Sequence, residues 1–176
     1  LIPMYDDKVF YDSLEMCDGL LIPGGFKVLP EFFKIIDYFY NSKKPIFGIC
    51  LGMQMLCMYS VNLENKKYIL KKVDNHWPVD LYRENNNEVV HKDYVSKGSL
   101  LFDIIGMDEI MVNSVHHYTV CDVGSLFNIS IKSFDGLIEG IEYSGSDRFI
   151  IGVQFHPEVL DQFNNLFKVF IDKCRK

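Results

Sequence analysis

The ten residues Pro45-Ile46-Phe47-Gly48-Ile49-Cys50-Leu51-Gly52-Met53-Gln54 constrain the fold more than any other stretch. Residues 46–49 form a short apolar run behind a proline, the pattern of a strand buried on both faces. Residues 51–59 are rich in Leu and Met, hold no proline, and read as a helix. Cys50 therefore stands where strand turns into helix, with Gly48 and Gly52 two residues to either side. G-x-C-x-G is the spacing of a nucleophile elbow with sulfur in place of a hydroxyl. So tight a turn leaves no room for Cβ atoms beside the nucleophile. The helix start aims free N–H groups and partial positive charge at the sulfur, which favours the thiolate, the nucleophilic form. A cysteine at a strand end is ordinarily an inert core residue; the flanking glycines reverse that reading.

The surrounding pattern places the elbow in an α/β domain. Residues 1–4 read as the end of a strand, 5–17 as a helix and 19–23 as a short buried strand stopped by Pro23-Gly24-Gly25. Residues 30–41 carry Phe32, Phe33, Ile35, Ile36, Phe39 and Tyr40 at helical spacing. Strand and helix alternating at this density predict a parallel sheet with helices on its faces. Residues 61–97 are rich in asparagine and lysine and lack clear periodicity; they read as an irregular excursion over the sheet edge, with two short strands. Ser99 is placed to cap a short helix through Ile105. Residues 110–113, 127–134, 137–143 and 148–155 are strand candidates, and Asp135-Gly136 supplies a hairpin turn between two of them. Residues 161–174 close the domain with a helix. Residues 1–176 read as a single domain, and its opening on Leu1-Ile2-Pro3 suggests that an N-terminal segment precedes it.

The net charge of −6 leaves no basic footprint for nucleic acid. No run approaches the roughly 18 apolar residues of a membrane span, and no targeting motif is visible. Five cysteines without framework spacing fit a reducing, cytoplasmic setting. Cys17, Cys57, Cys121 and Cys174 read as small core hydrophobes.

A thiolate needs a base and a group to orient that base. Of five histidines, His156 is the best placed. It follows an apolar run, so it stands at a strand's carboxyl end, the edge that carries the ligand crevice in open α/β sheets. Glu158, two residues on, can hold the imidazole in its working tautomer. His116 and His117, adjacent on an extended segment, point to opposite faces and cannot chelate one metal together. One of them is expected to face the pocket. His76 and His91 read as surface or packing residues, with Trp77 half buried. No local His or Cys ligand spacing is present, which argues against a zinc site.

Four segments together resemble the class I (triad) glutamine amidotransferase superfamily: Leu21-Ile22-Pro23-Gly24-Gly25, Gly48 through Gln54, Asn113-Ser114-Val115-His116-His117, and Gly152-Val153-Gln154-Phe155-His156-Pro157-Glu158. Their order matches across nearly the whole chain. The resemblance implies a flavodoxin-like three-layer sandwich around a mainly parallel central sheet, with its first strand missing here. It implies Cys50 as nucleophile, His156 as general base and acid, and Glu158 as orienter. It implies an oxyanion hole from the backbone N–H groups of Leu51 and Gly25, substrate contacts from Gln54 and His116, and neither metal nor organic cofactor. Residues 97–101 and 135–142 look most like the branch that hydrolyses γ-glutamyl-γ-aminobutyrate, although Tyr118 stands where that branch often has Gln. The short connection from Gly25 to Cys50 is closer to glutaminase domains that feed ammonia to a synthase partner. Hydrolysis of γ-glutamyl amides by a free-standing enzyme is the leading expectation, and a glutaminase domain or subunit the alternative. A non-catalytic regulatory domain and an oxidant-sensing thiol protein rank below both.

Overall fold

A computed structural model describes residues 7–67, 70–73, 76 and 89–175. In chain order the elements are α1 (Asp7–Glu15), β1 (Leu20–Ile22), α2 (Glu31–Asn41), β2 (Ile46–Ile49), α3 (Leu51–Leu63), β3 (Leu70–Lys72), β4 (His91–Val95), α4 (Leu100–Ile105), β5 (Glu109–Val112), β6 (Tyr118–Val120), β7 (Phe127–Ser133), β8 (Ile138–Tyr143), β9 (Ile150–Val153) and α5 (Asn164–Cys174), the last preceded by two short 3₁₀ turns. The expected strand end at residues 1–4 and Trp77 lie outside the described residues.

Seven strands form one sheet in the order β1-β2-β9-β8-β7-β4-β5, and β3 pairs with β6 apart from it. The sheet is α/β but mixed rather than mainly parallel. Only β1, β2 and β9 run parallel; β9–β8, β8–β7, β7–β4 and β4–β5 all pair antiparallel. For β7–β8 and β8–β9 the reason is the shortness of the connections. A parallel pair needs a crossover of a dozen or more residues, which α2 supplies between β1 and β2, whereas β7 and β8 are joined by the Asp135-Gly136 turn. Gly136 has φ +87° and donates its N–H to Ser133 O.

Alternate residues of β2 and β9 feed two cores. Ile46 and Ile150 pack with Phe10, Leu14, Ile36, Phe39 and Met53 from α1, α2 and α3. Phe47, Ile49, Ile151 and Val153 pack with Leu101, Ile104, Leu166 and Phe170 from α4 and α5. Helices thus cover both faces, which is why the central strands read as continuous apolar runs. Ser99 caps α4 as its position predicts: its Oγ accepts from Phe102 N at 3.0 Å.

Two expectations need correction and one is resolved. Residues 61–97 are not merely an edge excursion, because β4 lies inside the sheet between β7 and β5. Of the surface or packing roles expected for His76 and His91, packing holds: they are 5% and 3% exposed. Cys121 is exposed, whereas Cys57 is buried and Cys17 and Cys174 are partly so. Residue 121 follows β6, where the strand has left its pairing partner.

Candidate active site

The parallel ladder brings the two halves of the site together. Ile49 pairs with Val153, and Cys50 N–H donates to Val153 O at 2.8 Å. Cys50 and His156 therefore leave their strands at the same carboxyl edge. Cys50 sits at φ 51°, ψ −106°, a strained conformation for a side-chain-bearing residue. Its neighbours permit that turn only as glycines. A Cβ on Gly48 would lie 2.7 Å from Gly52 C, and one on Gly52 would lie 2.2 Å from Ile22 O.

Glu158 Oε1 is 2.7 Å from His156 Nδ1, and the ring's other nitrogen faces Cys50 across Gly24: a Cβ on Gly24 would lie 3.4 Å from His156 Nε2 and 3.5 Å from Cys50 Cβ. Burial lowers the His156 pKa, but the sulfur and the Glu158 carboxylate outweigh it and push it up to about 10. The imidazole is thus charged at neutral pH. Burial raises Glu158, yet its bonds to the imidazole and to backbone bring it below its ordinary value.

Asn113, at the end of β5, grips the His156 backbone from both sides. Its Nδ2 donates to His156 O at 3.0 Å and its Oδ1 accepts from His156 N at 2.7 Å. Gln154, in the apolar run before His156, directs Nε2 at Cys50 Sγ, 3.6 Å away. Its Oε1 accepts from Gln54 Nε2 at 3.0 Å. Asn113 and Gln154 were present in the sequence motifs without an assigned role; polar residues fixed inside a buried strand end are the signal that marks them.

The expected substrate contacts meet on one carbonyl. Gln54 Nε2 donates to Tyr118 O at 3.0 Å, and His116 Nδ1 lies 3.1 Å from the same oxygen. His116 is buried and His117 exposed, so the pair does part company as expected, although the segment is not a strand. The opposite ring nitrogen of His116 faces Glu139 Oε1 at 3.5 Å, inside the protein.

The first bond of α3 runs from Gln54 N to Cys50 O. The N–H groups of Leu51, Gly52 and Met53 precede that ladder, as at any helix start. The Gly24-Gly25 loop lies beside Cys50 and His156: a Cβ on Gly24 would lie 2.6 Å from His156 Cε1 and 3.5 Å from Cys50 Cβ, and one on Gly25 3.2 Å from Leu51 Cδ2. The residues named from sequence as nucleophile, base, orienter and oxyanion donors therefore converge on one place. No described helix is long and apolar enough to cross a membrane.

Comparison with known proteins agrees with that geometry. The peptidase C26 family profile matches residues 32–158. A Schizosaccharomyces pombe protein with a provisional glutamine amidotransferase name is 34% identical over 147 residues, 80% of this chain and 55% of its own length. CTP synthase of Staphylococcus carnosus is 32% identical over 198 residues, 97% of this chain but 36% of the synthase. The glutaminase domain of Trypanosoma brucei CTP synthase, solved with bound acivicin, superposes with TM-score 0.75 at 19% identity, over 99% of this chain and 77% of that one. The chain thus spans about half the first of these relatives and about a third of the second. With the family profile covering most of its length, this chain belongs to the peptidase C26 family, within the class I glutamine amidotransferase superfamily.

Proposed function

We propose that the chain hydrolyses the γ-carboxamide of glutamine through Cys50, His156 and Glu158, as a glutaminase component that delivers ammonia to a synthase partner. The observation that carries the chemistry is the 2.7 Å hydrogen bond between Glu158 and His156, with the ring set beside Cys50 across Gly24. The likeness to CTP synthases, of which this chain matches only about a third, supports the glutaminase role.

Each step follows from the groups present. The Cys50 sulfur attacks the γ-carbonyl carbon, and the oxyanion forms against the N–H groups of Leu51 and Gly25. Loss of one such donor typically costs about 10²–10³ in rate. The His156 imidazolium gives its proton to the nitrogen, the C–N bond breaks, and ammonia departs from a γ-glutamyl thioester. Neutral His156 then takes a proton from water as the oxygen attacks the thioester. The C–S bond breaks, releasing glutamate and restoring the sulfur beside a charged imidazole. Glu158 stays ionised and holds Nδ1–H throughout. Gln54 contacts the glutamyl part, and His116 steadies that wall through the shared Tyr118 carbonyl.

A free-standing γ-glutamyl amide hydrolase is the second reading, favoured by the match to a family named for peptidases. A panel running from free glutamine to γ-glutamyl amides of increasing size, read by ammonia or amine release, separates the two. Glutamine preference, with low turnover that rises when a synthase is added, supports the first; full activity on bulky amides overturns it. A glutamine-like electrophile should label Cys50, and Cys50→Ala should abolish turnover. Retained hydrolysis in Cys50→Ala would overturn both readings.

A further inference from the structure

Behind the Tyr118 wall lies a second cluster that the chemistry above does not use. His76, His91 and Glu139 each offer a ligand atom, all within 4.8 Å of one another and all buried. His116 adjoins them, with Nε2 3.5 Å from Glu139 Oε1; His76 Nε2 is 3.6 Å from the same oxygen. We propose that His76, His91 and Glu139 form a structural site for a divalent ion of the zinc class, with His116 beside it.

Three observations carry the proposal. The first is unmet valence. Among the described residues, ten buried side-chain N and O atoms have no hydrogen-bond partner, and eight belong to His76, His91, Asp93, His116 and Glu139. Both carboxylate oxygens of Glu139 are among them, on a residue with no exposed surface. An unpaired buried polar group is costly, and natural folds rarely keep one, let alone a cluster.

The second is spacing. Protons on the imidazoles do not satisfy this set, because separations of 3.5–3.6 Å exceed the usual hydrogen-bond range. The 3.6 Å between His76 Nε2 and Glu139 Oε1 does lie near the edge of a tetrahedron of ligands: metal–ligand distances of about 2.0–2.1 Å put neighbouring ligands about 3.3–3.4 Å apart.

The third is the orientation of the rings. The Nδ1 atom of each histidine faces an oxygen: Asp135 Oδ2 at 2.7 Å for His76, Asp93 Oδ1 at 2.8 Å for His91, and Tyr118 O at 3.1 Å for His116. For His76 and His116 Nε2 is the atom left over; for His91 both ring nitrogens lack a hydrogen-bond partner, with Nδ1 lying against the Asp93 carboxylate. A carboxylate or carbonyl behind one ring nitrogen, with the other turned inward, is how metal-bound histidines are held. Two imidazoles and one carboxylate suit a borderline ion such as Zn²⁺, with the fourth position open to water.

The ion would tie β4 and β8 to the segment carrying His76. Glu139 O accepts from Gln154 N at 2.9 Å, so the pin would lie one strand from the sulfur's neighbour. The proposal is independent of the hydrolytic reading. The three donors come from separate parts of the chain, so no short pattern displays them.

The test uses the full chain carrying Cys50→Ala, so that the active-site sulfur does not compete. Equilibrium dialysis against Zn²⁺ with metal analysis should retain one equivalent. Co²⁺ in its place should give tetrahedral d–d bands with no thiolate charge-transfer band. Asp135→Asn, at a partly exposed turn, should weaken Zn²⁺ about 10–100-fold while circular dichroism stays native. Adding His91→Gln should abolish binding. Failure to retain Zn²⁺, absence of the Co²⁺ bands, or undiminished binding in folded His91→Gln would overturn the site. Should His91→Gln fail to fold, the Co²⁺ spectrum and Asp135→Asn decide.

Discussion

At the residue scale the site depends on what is missing beside the sulfur as much as on what is there. Gly24 lies against the ring of His156, and a methyl group there would sit 2.6 Å from Cε1. The loop is partly exposed and the ring has some freedom, so Gly24→Ala should leave the fold intact and displace the imidazole. A misplacement of about 1 Å costs on the order of 10² in rate; kcat should fall by about that factor while the melting temperature holds. Gln154 makes a different prediction. It is wholly buried, touches the sulfur with Nε2 and holds Gln54 with Oε1. Gln154→Leu removes a hydrogen bond to a reacting atom and frees a substrate contact, so both kcat and KM should worsen. An ordinary hydrogen bond is worth about 0.5–1.5 kcal/mol, which sets the loss in kcat/KM at about two- to tenfold. Unchanged kcat in Gln154→Leu would show that the 3.6 Å contact is incidental.

At the element scale, β2 and α3 meet in a turn that only glycine-flanked sequence can make. A Cβ on Gly52 would approach Ile22 O to 2.2 Å, backbone that cannot rotate away. Gly52→Ala should therefore push β1 off the helix start, costing about 1–3 kcal/mol by overpacking and lowering the urea midpoint along with activity. This elbow was legible in the sequence because apolar runs and glycines are direct imprints of burial and sterics. The same holds for α2, the Ser99 cap and the Asp135-Gly136 turn. Strand β4 was hidden for a physical reason. Its inward positions are His91, Asp93 and Val95, so the alternation that normally marks a strand is mostly polar on its buried side. A hydrophobicity pattern cannot find a strand whose core face binds charge. The partners that make such a strand tolerable, Glu139 and His76, lie 46 and 17 residues away from Asp93 along the chain and pair with nothing local.

At the scale of the whole molecule, the mixed sheet decides which residues share an edge, and that edge ties chemistry to stability. Cys50 and His156 were read from motifs, but their meeting is a property of the β2–β9 ladder. That meeting has a consequence measurable without substrate. His156 titrates near its ordinary value of 6.5 in the unfolded chain and at about 10 in the fold. A raised pKa means that the folded state holds a proton the unfolded state releases. The stabilisation is complete below about pH 6.5 and is lost as pH rises through about 10. Urea unfolding should therefore show the midpoint falling across that window. Other groups slope the same way: burial raises the Cys57 thiol, so unfolding at alkaline pH ionises it too. Comparison with variants isolates the pair. In His156→Gln the slope between pH 6.5 and 10 should shrink, and in Cys50→Ala it should shrink similarly, because the sulfur is the first of the partners that raise the imidazole. An alkaline slope identical in wild type and Cys50→Ala would mean that the ring draws its charge from Glu158 alone, and the sulfur would lose its assigned place beside a charged imidazole.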